Sequence, residues 1–278
     1  MVREAVFVVD AMASVFANFR QYLTGWGPQD GPGDGVDRFR SGLAAPQFNG
    51  VVRVRSGSAA GLDVAAVRRE LAGVPWWWWV GPDSPEDTAG VLRRHGGREL
   101  AVMPVMVRPL SRHAGPDGGP GGGPGGGPGG GPGGGPGGAY AGPRVEPVRD
   151  GEGLAELVRT YRTSMGIGPG AEAGMVCVEA RRADNADIVR LAASLDGRVI
   201  GTTVVITAHT VAGIFLVHVA EEQRRRGVGT ALTAAALQVG RERGMRHAAL
   251  VASPAGEPLY RRFGFATAAE YRLFDFPS

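Results

Sequence analysis

One short stretch leaves the backbone few choices: Arg224-Arg225-Arg226-Gly227-Val228-Gly229-Thr230, set between an apolar run and an amphipathic run. The run before it, Ile214-Phe215-Leu216-Val217-His218-Val219, reads as a strand. After it, Val228, Leu232, Ala235 and Val239 recur near the 3.6-residue period of a helix, and Gly244 supplies the left-handed stop. A strand entering a glycine turn at a helix N-terminus is an anion site. Backbone N–H groups there lack partners, the helix dipole adds positive potential, and glycines let an oxygen approach closely. Three arginines at the rim suit a polyphosphate better than a single carboxylate.

A chain of 278 residues allows one large or two ordinary domains. Its 43% hydrophobic and 21% charged content is that of a soluble globular protein. All 30 basic residues are arginine, which a GC-rich coding bias explains, and the net charge is only +3. Apart from the triple, the arginines are scattered rather than gathered on a groove-reading face, so no nucleic-acid partner is expected. No apolar run reaches the length of a membrane span, so no membrane partner is expected. Glu4 and Asp10 interrupt the start as a signal peptide would not. Cys177 is the single cysteine, which excludes an internal disulfide and a cysteine zinc site. The expected location is cytoplasmic, and monomer and homodimer both stay open.

Residues 1–110 read as a small α/β unit. It has a helix over 11–22, a strand over 51–55, a helix over 62–71 and a strand over 76–80 closed by Gly81-Pro82. Ser84 is expected to cap a helix reaching about His95, and Pro104 makes 101–107 an edge strand or a connector. Alternation puts two of Trp76, Trp77, Trp78 and Trp79 on each strand face. Packing is their expected role, over an aromatic wall beside a ligand. From Gly115 to Gly138 the chain repeats Gly-Gly-Gly-Pro with no side chains to bury, so residues 111–143 read as a flexible linker. Residues 144–278 follow as strand (144–148), helix (151–163) and a segment at 171–182 open between helix and strand. A hairpin about Asp196-Gly197 comes next, then the strand, turn and helix above, a strand at 247–251, a short helix at 258–263 and a strand at 271–276.

The pattern [RQ]-x-x-G-x-[GA] is met by Arg224 to Gly229. Downstream stands Ser253-Pro254-Ala255-Gly256-Glu257-Pro258-Leu259-Tyr260-Arg261-Arg262-Phe263-Gly264-Phe265. With the strand and helix around the turn, residues 144–278 resemble the GNAT superfamily of acyl-CoA-dependent N-acetyltransferases. Residues 1–110 resemble, more loosely, the degenerate N-terminal halves of tandem GNAT proteins. The resemblance implies an α/β fold with a mixed, mostly antiparallel sheet flanked by helices, preceded by a smaller degenerate α/β half. It also implies one catalytic N-acetyltransferase domain, at 144–278. The family's closing pair of strands is expected within that span.

The resemblance further implies acetyl-CoA as co-substrate, no metal, and a primary amine of a small molecule or peptide N-terminus as acceptor. The pyrophosphate would lie on the N–H groups from Arg225 to Thr230, across Arg226, Gly227, Val228 and Gly229, aided by the Thr230 hydroxyl and an arginine of the triple, Arg224 included. Pantetheine would pair with the edge of 214–219, and an N–H of Val217 or Val219 would polarise the thioester carbonyl. Tyr260 matches the family's proton donor, against a core tyrosine, and Ser253 its pantetheine-bonding residue, against a simple turn role. His218 is the tempting base, against a structural histidine. The carboxylate that some members carry at the start of this strand falls here on Gly213. Glu179 is a base candidate only if its helix borders the site, and direct transfer leaves Cys177 no role. The rival class is a catalytically silent acyl-CoA-binding or sensor module.

Overall fold

Two tight turns fold the C-terminal region into a meander. Asp196 (φ 50°) and Gly197 (φ 74°) form the turn expected of Asp-Gly, and His209 (φ 55°) and Thr210 (φ 63°) form a second without glycine. They join β6 (Ile188–Leu195), β7 (Arg198–Ala208) and β8 (Val211–Val219) as antiparallel neighbours. These features belong to a computed structural model that describes residues 2–27, 35–55, 57–110 and 142–277. The Gly/Pro repeat expected as a linker lies outside the described residues.

Ahead of the meander come α1 (Val2–Thr24), β1 (Val36–Arg40), β2 (Asn49–Val54), α2 (Val64–Glu70), β3 (Trp77–Val80), α3 (Thr88–Arg94) and β4 (Arg98–Pro109). Then follow β5 (Arg144–Pro147), α4 (Gly151–Ser164) and α5 (Glu172–Ala180). After the meander stand α6 (Val228–Glu242), β9 (His247–Val251), α7 (Glu257–Arg262) and β10 (Ala266–Asp275). All ten strands form one sheet, ordered β1-β2-β3-β10-β4-β9-β8-β7-β6-β5. Only β2–β3 and β8–β9 pair in parallel. This is the expected mixed, mostly antiparallel sheet with helices on its faces.

The closing pair of strands departs from expectation. Residues 144–278 supply one of them, β10; the strand between β10 and β9 is β4, from the N-terminal region. In turn β10 lies between β3 and β4. The sheet therefore runs without a break through both sequence regions. Pro104 does not confine β4 to an edge: it pairs with Glu270 of β10, and its carbonyl accepts from the Ala252 N–H at 2.9 Å just past the end of the β9 ladder. Pairing with β9 ends at Val105↔Val251, and β10 shifts register between Thr267 and Ala269. A missing N–H costs little at such a point.

Other differences are local. β1 is not among the strands expected from the sequence; its first two residues, Val36 and Asp37, close a stretch rich in Gly, Asp and Pro, and it is held by pairing with β2. Residues 171–182 resolve as helix α5. Helix α3 starts at Thr88, because Ser84 Oγ is turned to accept from the Val54 N–H at 3.2 Å and caps no helix. Gly50 (φ 154°) cannot carry a side chain, since a Cβ would stand 1.9 Å from the Trp77 carbonyl oxygen. That approach sets β3 and its tryptophans against β2.

Helix α1 ties the regions together. Phe19 meets Trp79 of β3 at 5.3 Å, Phe215 of β8 at 6.2 Å and Tyr271 of β10 at 4.6 Å between ring centroids. One core thus holds residues of α1, β3, β4, β8 and β10 together. The buried Asn18 amide donates to the carbonyls of Ile206 (2.9 Å), Ala208 (3.1 Å) and Val211 (3.0 Å), fastening α1 to the β7–β8 turn. Asn18→Ala strips these buried carbonyls of a donor and is expected to cost about 2–3 kcal/mol. Chemical denaturation of the full chain measures the loss.

Candidate active site

Strands β8 and β9 run together only at Val211↔His247, Ala212↔Ala248 and Gly213↔Ala249. Beyond Gly213 they part, so among the described residues β8 from Ile214 onward has no strand partner on that side. Its other side stays bonded to β7 but slips register between Thr202 and Val204, and Leu216 (φ 50°) takes the left-handed bend of a bulge. The Thr203 and Thr202 hydroxyls hold the bend by donating to the carbonyls of Phe215 (3.0 Å) and Leu216 (3.2 Å). The result is an open strand edge at the wall of a cavity of about 240 Å³.

At the end of β8 the chain makes the glycine turn. Arg225 (φ 63°) and Gly227 (φ 82°) are left-handed, and Gly227 caps α6 with no side-chain bond. The first of these turn and helix N–H groups to find a backbone acceptor is Ala231, bonded to Gly227 O at 2.9 Å. Those of Arg225, Arg226, Gly227, Val228, Gly229 and Thr230 have none among the described residues. Six consecutive donors at a helix N-terminus form an anion-binding concavity. Arg224, Arg225 and Arg226 are exposed, with no carboxylate partner among the described residues; the Arg224 Nε–H reaches the Val219 carbonyl at 3.4 Å. A Cβ on Gly229 would meet the Leu259 side chain at 3.3 Å and no backbone atom within that reach, so the room there is limited by a movable group. The start of α2 in the N-terminal region is not equivalent. The seven-residue α2 follows Asp63, whose own carboxylate accepts the Ala66 N–H at 2.9 Å.

Leu216, Val217, His218, Ser253 and Tyr260 line one cavity. Tyr260 is 8% exposed, its hydroxyl has no hydrogen-bond partner among the described residues, and burial pushes its pKa up to about 12. It is therefore a phenol, not a phenolate, at neutral pH. Ser253 Oγ accepts from the Gly256 N–H at 3.2 Å, a turn bond that leaves its O–H able to donate. Burial, with Arg224 nearby, pushes His218 down to about 4, so its imidazole is neutral above pH 5 and a weak base. Val219 packs with Val228 and Leu232 under α6.

Three other candidates lie elsewhere. Glu179 is 1% exposed and spent on an ion pair with Arg190 at 2.6 Å and on the Tyr161 hydroxyl at 3.3 Å. Cys177 is exposed beside a separate surface cavity with Arg40 and Arg181. At Gly213 a Cβ would stand 1.9 Å from Asn18 Oδ1, so α1 fills the room a carboxylate side chain would need.

The tryptophans pack as expected, Trp78 and Trp79 within cores and Trp76 and Trp77 partly buried against them. Trp76 and Trp78 face α2 and α3, whereas Trp77 and Trp79 line the cavity, with Met103 of β4 and Phe19 and Tyr22 of α1. The alternation was legible; which face meets the cavity depends on β10 and α1. Among the described residues no group of His, Cys, Asp and Glu is placed to hold a metal ion, and no helix is long and apolar enough to cross a membrane.

With the fold and cavity in view, the comparisons fall into place. Among solved structures, a GCN5-related N-acetyltransferase from Kribbella flavida superposes with a TM-score of 0.66 at 16% identity, covering 97% of this chain and 95% of that one. A functionally unknown conserved protein from Staphylococcus epidermidis gives 0.56 at 16% identity, covering 91% and 95%. A tandem GNAT protein from the clavulanic acid biosynthesis pathway gives 0.55 at 17% identity, covering 86% and 77%. At such identities the likeness is one of fold. No curated protein matches the sequence. Residues 155–265 match the Acetyltransferase (GNAT) family, so this stretch of the chain is a GNAT domain.

His218 carries a stability signature. Its pKa in the folded chain lies below the unfolded value near 6.5, so its contribution is complete above that pH and is lost as pH falls toward 4. The unfolding midpoint is expected to drop over this interval, and His218→Asn to flatten the drop. Thermal melts from pH 4 to 7.5 read both.

Proposed function

We propose that the protein is an acetyl-CoA-dependent N-acetyltransferase that passes an acetyl group directly to a primary amine, with residues 144–278 as the catalytic domain. The observation that carries this reading is the run of six N–H groups from Arg225 to Thr230 at the end of an open strand edge, which like the Tyr260 hydroxyl at the same edge have no partner among the described residues. Acetyl-CoA would supply an activated acetyl thioester. The residues present fit it: the turn accepts a diphosphate without rearranging a bonded backbone, and the unpaired β8 edge accepts a peptide-like arm.

Each residue then has one task. The N–H groups of 225–230 hold phosphate oxygens, with Arg224, Arg225, Arg226 and the Thr230 hydroxyl as further donors. Past the Leu216 bend, an N–H of Val217 or Val219 donates to the carbonyl oxygen and stabilises the negative charge that grows there. Ser253 donates to the arm. Tyr260 keeps its proton at Oη up to high pH and delivers it to the sulfur as the C–S bond breaks, and the proton that the attacking nitrogen sheds on becoming an amide restores the phenol. His218, neutral but weakly basic, orients or relays and does not deprotonate an alkylammonium, so the acceptor must reach the site as the free amine.

Two variants test the parts separately. Tyr260→Phe is expected to lower kcat by about a hundredfold, the usual scale for losing a general acid, while CoA affinity holds. Equal losses in both would remove the acid role. Gly229→Glu puts a carboxylate among the donors and is expected to abolish CoA binding by calorimetry while the circular dichroism spectrum stays that of the parent. Tight CoA binding with no thiol release on any amine would identify a silent binding module instead.

A further inference from the structure

The cavity has two chemically different walls. One is the donor side just described. The other is built by Phe19 and Tyr22 of α1, Trp77 and Trp79 of β3, Met103 of β4 and Met165 at the end of α4. Among the described residues lining the cavity there is no Asp, Glu or Arg, and His218 is the single titratable nitrogen. The carboxylates of the surrounding elements are already engaged, Glu179 with Arg190 and Asp83 with Arg20. At about 240 Å³ the space is smaller than the ~300–1,000 Å³ of drug-sized pockets, so the guest is small.

We propose that this aromatic wall is the acceptor subsite and that it takes a small primary amine carrying an aromatic ring, not a polycation; the inference rests on the acetyltransferase reading. The rings are already set for a flat guest. Trp77 and Trp79 stand 6.2 Å apart at 75°, and Phe19 braces Trp79 edge-on at 5.3 Å. Trp79 is buried, whereas Trp77 is half-buried and lines the cavity. Gln47 contributes the one carboxamide of this wall, and its Oε1 has no hydrogen-bond partner among the described residues. A polyamine would strip several ammonium groups of water here without a carboxylate to repay the loss. A ring-bearing amine needs only its one nitrogen uncharged, as the weakly basic His218 requires.

The test is a calorimetric titration of the CoA-loaded full chain with phenethylamine and with spermidine, alongside thiol release from acetyl-CoA with each amine. Phenethylamine is expected to bind at least about tenfold tighter, and Trp77→Ala to weaken it by about tenfold, the size of one lost aromatic pair, with CoA affinity retained. Trp77→Phe should restore most of the affinity. Met103→Glu, which adds a carboxylate to the wall, should shift preference toward spermidine. Tighter binding of spermidine by the parent protein overturns the subsite, and so does unchanged phenethylamine affinity in a Trp77→Ala protein that still binds CoA. Phenethylamine binding without thiol release supports the subsite and overturns the acetyltransferase reading, so the two can fail separately.

Discussion

The antiparallel contact between β4 and β10 is the constraint on which the rest depends. Its register runs from Ala266↔Val107 to Asp275↔Arg98, and it inserts a strand of each sequence region between strands of the other. Without β4, β9 would be an open edge facing β10 across a gap. Without β10, β3 and β4 would have no common neighbour. An exchanged pair of this kind makes the two regions one sheet, and α1 seals it by packing Phe19 against β3, β8 and β10 together. The site inherits this dependence: its donor wall comes from β8 and α7, its other wall from α1, β3 and β4.

The cavity shows how one backbone irregularity can shape a candidate site. The Leu216 bend and the parting of β8 from β9 leave polar backbone groups unpaired beside a water-limiting aromatic wall. Such groups are costly to leave idle, and a peptide-like ligand is the natural complement. The same logic separates the turn before α6 from the start of α2. Among the described residues six N–H groups at the start of α6 have no partner, whereas at α2 the Asp63 carboxylate accepts the Ala66 N–H.

Burial tunes the two candidate proton carriers in opposite senses. It favours the neutral form of each, raising Tyr260 and lowering His218, so neither carries charge at neutral pH. A site with a retained phenol proton and no strong base suits acylation of an amine that has already lost its proton. It does not suit a mechanism that must generate a nucleophile.

The glycine turn, the Asp-Gly hairpin, the αL stop at Gly244 and the Tyr260 segment were fixed by local rules. Each depends on which residues tolerate positive φ or repeat at a helical period, and the sequence states that directly. The sequence also placed the tryptophans two to a face. It could not say that β4 serves as the strand between β9 and β10, because pairing between residues about 160 positions apart leaves no local pattern. Nor could it say that Trp77 and Trp79 face a cavity, that Asn18 fills the space beside Gly213, or that Glu179 is spent on Arg190. Those outcomes were decided when the two regions packed against each other, since burial and partner choice are properties of the assembled sheet.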